Sequence, residues 1–202
     1  MTDCFELLEQ PRRPWLDPEP LKHKFIELST AMHPDRLHQA TDNEKRAAQQ
    51  GYTELNAAYN RLREPRERLV HLLELELGKK PRRVQQIPAE LMDRFMEVSR
   101  LCREADGFLA EKAATTSPLL LAQMFERGQE WVDKLGSLGK QLEAWREELV
   151  AQLKSLDAQW NTDQTPSTKQ TALLRLEELS QLFGYAARWR AQVQERLVRL
   201  SF

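Results

Sequence analysis

From Leu121 onward the apolar side chains of this chain return every three or four positions. Leu121, Met124, Gly128, Trp131, Leu135, Leu138, Leu142, Trp145 and Leu149 alternate those two spacings without a break. This period matches one face of an α-helix and is incompatible with the two-residue alternation of a strand. So regular a seam reads like that of a coiled coil. Continued to Leu156 and Trp160 it predicts one helix of about 40 residues, ~60 Å long.

Other segments carry the same signature. Leu91, Phe95, Val98, Cys102, Ala105 and Leu109 step by 4-3-4-3-4. Leu176, Leu179, Phe183, Ala186, Trp189, Val193, Leu197 and Leu200 outline a third long helix. Thr115-Thr116-Ser117-Pro118 and Asn161–Thr168 mark the breaks between them. Three long helices in succession predict an up-down-up bundle over residues 88–202.

The first 77 residues are shorter in rhythm. A helix around Phe5–Leu8 ends at Gln10-Pro11. Asp17 is the expected N-cap of a second helix with Pro18 at its first position. That helix lays Leu21, Phe25, Leu28 and Met32 along one face and must stop near Met32, because Pro34 disfavours helical geometry at His33. A third helix begins near Thr41-Asp42 with Tyr52, Leu55, Tyr59 and Leu62. Pro65 turns the chain into a fourth with Leu69, Leu72, Leu73 and Leu77. Gly78-Lys-Lys-Pro-Arg-Arg83 has no apolar anchor and opens a linker over residues 78–87. Leu, Ala, Glu, Gln, Lys and Arg dominate the composition, and only 7 glycines interrupt it. The fold class is all-α.

Charge excludes some partners. Thirty Lys and Arg against 31 Asp and Glu provide neither a nucleic-acid nor a membrane-surface signature. No apolar run approaches the roughly 20 residues of a membrane span. The N-terminus has no basic-plus-apolar leader. A soluble, cytoplasmic, monomeric protein is expected. Cys4 and Cys102 are too few for a disulfide framework, which suits a reducing compartment. Cys102 is read as a core residue and Cys4 as half-buried.

The sequence holds one arrangement with chemistry to offer a partner, His33-Pro34-Asp35. It sits where a helical hairpin reverses, so Pro34 stiffens the corner while His33 and Asp35 project. A carboxylate there suits a bidentate bond from an arginine. Lys22, Lys24 and Arg36 form a basic edge beside it.

These features resemble the J-domain family over roughly residues 3–77: short first helix, amphipathic second helix, His-Pro-Asp corner, then a helix with Leu55-Asn-Ala-Ala-Tyr59. The resemblance implies that the second helix and the corner dock on a DnaK-type chaperone and stimulate its ATPase. His33, Pro34 and Asp35 take the triggering role, and Lys22, Lys24 and Arg36 the docking role. The chain departs from the family where Ile26, Glu27, Ser29 and Thr30 occupy a stretch that is usually basic. Steering by charge is then weaker and the encounter slower.

Leu55 to Leu75, with its Pro65 break and Arg-plus-Leu-Leu helix, is similar to the end of the J-domain in HscB-type co-chaperones of iron–sulphur cluster assembly. Ile87-Pro-Ala-Glu-Leu-Met92 is similar to the start of their C-terminal bundle. That resemblance implies a client surface, with Leu91, Met92 and Phe95 as its apolar part and a cluster scaffold protein as client. Its acidic part does not carry over: Met96 and Ser99 stand where carboxylates are expected, and Glu178 where an apolar contact is expected.

Enzyme chemistry finds no support. Gly136-Ser-Leu-Gly-Lys140 lacks the spacing, the following hydroxyl and the preceding strand of a phosphate loop. His23, His38 and His71 make no metal-ligand spacing. The C-terminal region has no His for a bundle metal site. No cofactor and no metal are expected. The expectation is a non-enzymatic co-chaperone that delivers a client, such as an iron–sulphur scaffold protein, to a DnaK-type ATPase. The alternatives are a J-domain protein for another client and an all-helical adaptor or coiled-coil protein.

Overall fold

The computed structural model describes residues 2–31, 41–79, 87–160 and 165–201. These residues fold into seven α-helices and a 3-10 turn, with no strand among them. The helices are α1 (Cys4–Leu7), α2 (Pro18–Ala31), α3 (Asp42–Arg63), α4 (Pro65–Leu77), α5 (Met92–Ala114), α6 (Pro118–Ala158) and α7 (Pro166–Leu200). The chain divides into two compact units. The first comprises Met1–Arg82 and Ala151–Gln181, the second Arg83–Val150 and Leu182–Phe202.

Local signals set the helix ends in the first unit. Asp3 caps α1, accepting from the Phe5 and Glu6 amides. The Asp17 carboxylate accepts from the Glu19 amide at 3.1 Å and opens α2 behind Pro18. Thr41 and Glu44 form a reciprocal capping box on α3. Pro65 occupies the first turn of α4, where its missing N–H costs nothing. Gly78 ends α4 at φ +66°, a left-handed conformation that glycine adopts without a Cβ penalty.

The core of this unit is built from Phe5, Leu8, Leu21, Leu55, Leu62, Leu69, Leu72 and Leu73, none more than 1% exposed. Each such side chain contributes roughly 1.5–3 kcal/mol when taken out of water. Phe25 of α2 stacks on Tyr59 of α3, ring centroids 4.2 Å apart, which fastens the α2–α3 hairpin. Leu77, the last residue of α4 before Gly78, is 39% exposed rather than core. Cys4 is 7% exposed, buried rather than half-buried, because α1 lies on the core with its amide bonded to His71.

The ends of α6 and α7 belong to this same unit. Asp157 of α6 accepts from the Arg13 guanidinium at 2.8 Å and from the Trp15 amide at 3.0 Å. Arg68 is 2% exposed and donates to the carbonyls of Pro14 and Leu62. Burial pushes its pKa down to about 10, against the pull of Asp157 and Glu64, so it stays charged at neutral pH.

In the second unit α5, α6 and α7 make the up-down-up bundle. Trp145 stacks on Trp189 and Glu143 pairs with Arg190, so α6 and α7 run antiparallel. Arg94 lies over the Trp145 ring and Glu111 pairs with Arg127, so α5 and α6 also run antiparallel. Phe95 meets Trp189 and Arg196 meets Cys102 and Asp106, which makes α5 and α7 parallel. Val98, Cys102, Ala105, Leu135, Leu138, Leu142, Trp189 and Val193 fill the centre.

The seam helix α6 has 41 residues, close to the length expected. Its periodicity overreaches at both ends. Leu121 is 39% exposed, while Leu153 and Asp157 are buried in place of Leu156 and Trp160, which are half-buried. A stripe at an average of 3.5 drifts around a straight helix of period 3.6, and over 40 residues the drift moves the buried face.

Candidate functional site

Two surfaces carry the residues singled out from sequence. The first lies on α2. Lys22 is exposed on its first half. Lys24 is one-quarter exposed, and its ammonium pairs with Glu9 at 2.8 Å and Glu27 at 3.2 Å. Bonds to Glu9 and then Glu27 raise its pKa, so the cation is held rather than free. Glu9 reaches it because the chain after α1 turns through a left-handed residue, Glu9 itself at φ +50°. His33, Pro34, Asp35 and Arg36 lie outside the described residues, as does Met32.

The second surface lies on the first turns of α5. Leu91 is 6% exposed and belongs to the core, so it positions its neighbours rather than meeting a partner. Phe95 is half-buried with its ring against Trp189. Met92 is 43% exposed, and Met96, one turn further on, is 55% exposed. Met96 therefore extends an apolar face for which the sequence pointed only to Leu91, Met92 and Phe95. The i, i+4 relation of two methionines on the face opposite Val98 and Leu101 was the signal for it.

Neither 96 nor 99 is a carboxylate; those of this stretch of α5 are Asp93, beside Met92, and Glu97, beside Met96. Asp93 and Glu97 face α6, where with Glu148 they rim a cleft of about 430 Å³ floored by Leu142 and Trp145. Arg94 sits in the same cleft, its guanidinium 4.7 Å from the Trp145 ring centre. Among the described residues no three His, Cys, Asp or Glu side chains are placed to hold a metal ion. No helix among them is long and apolar enough to cross a membrane.

Known proteins resemble this arrangement. The chain is 33% identical over 137 residues to the co-chaperone HscB homologue of Paraburkholderia xenovorans, covering 66% of this chain and 75% of that protein. The Burkholderia mallei homologue matches to the same extent. The chain belongs to the HscB co-chaperone family.

Its fold agrees with solved HscB structures. HscB of Vibrio cholerae superposes with a TM-score of 0.62 over 96% of both chains, at 20% identity. Human HscB superposes with a TM-score of 0.65 over 96% of this chain and 81% of that one, at 18% identity. No family model matches the chain. At such low identity the two structures speak for the fold, and the bacterial homologues carry the family assignment. Within the HscB family this is a J-type co-chaperone. On α5, Met96 and Ser99 share the face of Met92.

Proposed function

We propose that this protein docks on a DnaK-type chaperone through α2 and the following corner, stimulates its ATPase, and delivers a client held on α5. Residues 1–77 serve as the J-domain, 78–87 as the linker and 88–202 as the client-binding bundle. His33, Pro34 and Asp35 trigger the partner, while Lys22, Lys24 and Arg36 dock it. The client is an iron–sulphur cluster scaffold protein, and Met92 and Phe95, placed by Leu91, touch it together with Met96.

The observation that carries this reading is the match to HscB homologues over two-thirds of the chain. The hairpin geometry supports it. Phe25 on Tyr59 braces α2 against α3, so Lys22 and Lys24 are offered from a rigid element. The chemistry needed here is recognition, which a carboxylate, an imidazole and three cations supply without a cofactor.

The test is single-turnover ATP hydrolysis by each DnaK-type chaperone of the source organism. Wild-type protein is expected to accelerate it at least tenfold. His33→Gln is expected to abolish the acceleration while leaving the helical circular-dichroism signal intact. Equal stimulation by the variant refutes the trigger assignment.

One observation favours a second reading, a different client: Met96 and Ser99 replace the carboxylates expected of a scaffold-binding face. Co-precipitation with the organism's scaffold protein separates the two. Binding that Met92→Ala/Met96→Ala weakens supports the scaffold. No binding by the wild type supports another client.

A further inference from the structure

The outward side of the α5–α7 seam has a charge pattern of its own. Met92, Met96, Ser99 and Arg103 follow one another along α5 at spacings of 4-3-4. Because Phe95 meets Trp189 and Asp106 meets Arg196, α7 lies parallel alongside, bringing Arg188, Arg196 and Arg199 along the same seam. Arg103 and Arg188 are exposed, and their guanidinium groups donate to carbonyls of their own helices, Ser99 and Gly184. A guanidinium bonded at one nitrogen to a carbonyl keeps further N–H donors for an incoming anion. Asp106 is shared between Arg196 at 2.6 Å and Arg199 at 3.5 Å, and Glu195 reaches Arg196 at 4.0 Å. Four arginines therefore face two carboxylates, and Arg199 is 51% exposed.

The other flank carries the opposite excess. Asp93, Glu97 and Glu148 have Arg94 among them in the α6 cleft, and Arg100 pairs with Glu104. The exposed methionines thus border one flank with surplus positive charge, on α7's side, and one with surplus negative charge, on α6's side.

We propose that the α5–α7 seam binds a client segment that pairs apolar anchors with carboxylates: two apolar side chains over Met92 and Met96, and Asp or Glu toward Arg103, Arg188 and Arg199. From Met92 to Arg103 is about 16 Å along the helix, so a helical partner spans about a dozen residues. The proposal rests on the client-binding reading of α5 and adds the charge of the client that this chain accepts. Desolvated arginine–carboxylate pairs set specificity and steer the encounter, while the methionines adapt their shape to the anchors.

The test uses the full chain and two kinds of probe. One is the source organism's cluster scaffold protein. The other is a pair of labelled amphipathic 16-residue peptides with the same leucine anchors, one flanked by Glu and one by Lys. Arg103→Glu/Arg199→Glu and, separately, Asp93→Lys/Glu97→Lys are compared with the wild type by fluorescence anisotropy at 50 and 300 mM salt. Client-free ATPase stimulation is expected to be unchanged in both variants, and an unchanged helical circular-dichroism signal and thermal midpoint report that the bundle is folded.

The arginine variant is expected to weaken scaffold binding at least tenfold, and 300 mM salt to weaken the wild type comparably. The Glu peptide is expected to bind and the Lys peptide not. Scaffold binding that survives the arginine variant, or that is lost only in the Asp93/Glu97 variant, overturns the proposal. A preference for the Lys peptide, or binding of no probe at all, also overturns it. A Glu peptide bound in an arginine-dependent way with no scaffold binding upholds the seam's chemistry and removes the scaffold as client.

Discussion

His71 shows how much a single buried side chain does in the first unit. Its ring is fully buried, stacked at 5.7 Å on Phe5, and its Nε2 accepts the Cys4 amide at 2.9 Å. That bond joins α4 to α1 and requires the unprotonated nitrogen. Around the ring stand Asp3 at 3.8 Å, Glu74 at 3.9 Å and Arg61, which itself pairs with Glu74, with the Cys4 thiol nearby. Burial, then the Arg61 charge, lowers the His71 pKa, and the two carboxylates only partly oppose them. The sign follows. As pH falls below the ordinary value of about 6.5 the unfolded chain takes up a proton that the folded chain refuses, so stability drops. The urea midpoint is expected to decline from pH 7.5 to pH 5.5. His71→Gln, which keeps an acceptor but no titration, is expected to flatten that decline. An equally steep slope in the variant would assign the acid sensitivity elsewhere. Nothing in the sequence marked His71 for this part, because the bond from Cys4 comes from 67 positions away and the stacking on Phe5 from the same short helix.

At the scale of the helix, α2 holds one of the cations proposed to dock the chaperone, Lys24, between two competitors of its own. Glu27 lies one turn beyond Lys24, and Glu9 arrives from the preceding turn, so a partner carboxylate must displace both to reach the ammonium. Glu9→Gln/Glu27→Gln is expected to raise ATPase stimulation about two- to fivefold at low salt, with the gain vanishing at high salt. Glu19→Gln, an exposed carboxylate of the same helix, serves as the charge control. An equal gain there would mean that net charge alone is responsible. Most helices were legible in advance: the Asp17 cap, the Thr41 start, the Pro65 turn and the 41-residue α6 all follow from local chemistry. The Lys24–Glu9 pair was not, since it depends on a left-handed residue in a turn. Period likewise names a face without saying what covers it, which is why Leu77 and Leu121 are exposed and Leu91 is buried beneath the surface it was expected to form.

For the molecule as a whole, the composition of the first unit is the informative feature, because residues 151–181 fold with residues 1–82. A sequence boundary at the basic linker follows from Gly78 and the charges after it. Nothing local reveals that the end of a helix begun at Pro118 completes the N-terminal unit. Asp157 is the key tie. It is 7% exposed, bonds both Arg13 and the Trp15 amide, and stands near a Trp15 ring that also carries Lys154 at 4.6 Å. Trp160 adds a bond to the Arg12 carbonyl, and Lys169 pairs with Glu76 at 2.6 Å. Removing the Asp157 carboxylate leaves the Trp15 amide without its acceptor, at a cost of about 1–3 kcal/mol. Asp157→Ala is therefore expected to lower the thermal midpoint of the full chain by several degrees. A fragment of residues 1–79 is expected to melt lower still, since it loses these ties together. Were the fragment as stable as the same residues within the intact chain, measured by hydrogen exchange of the α3 amides, the contacts from α6 and α7 would add nothing to the J-domain, and the linker would be its true thermodynamic edge.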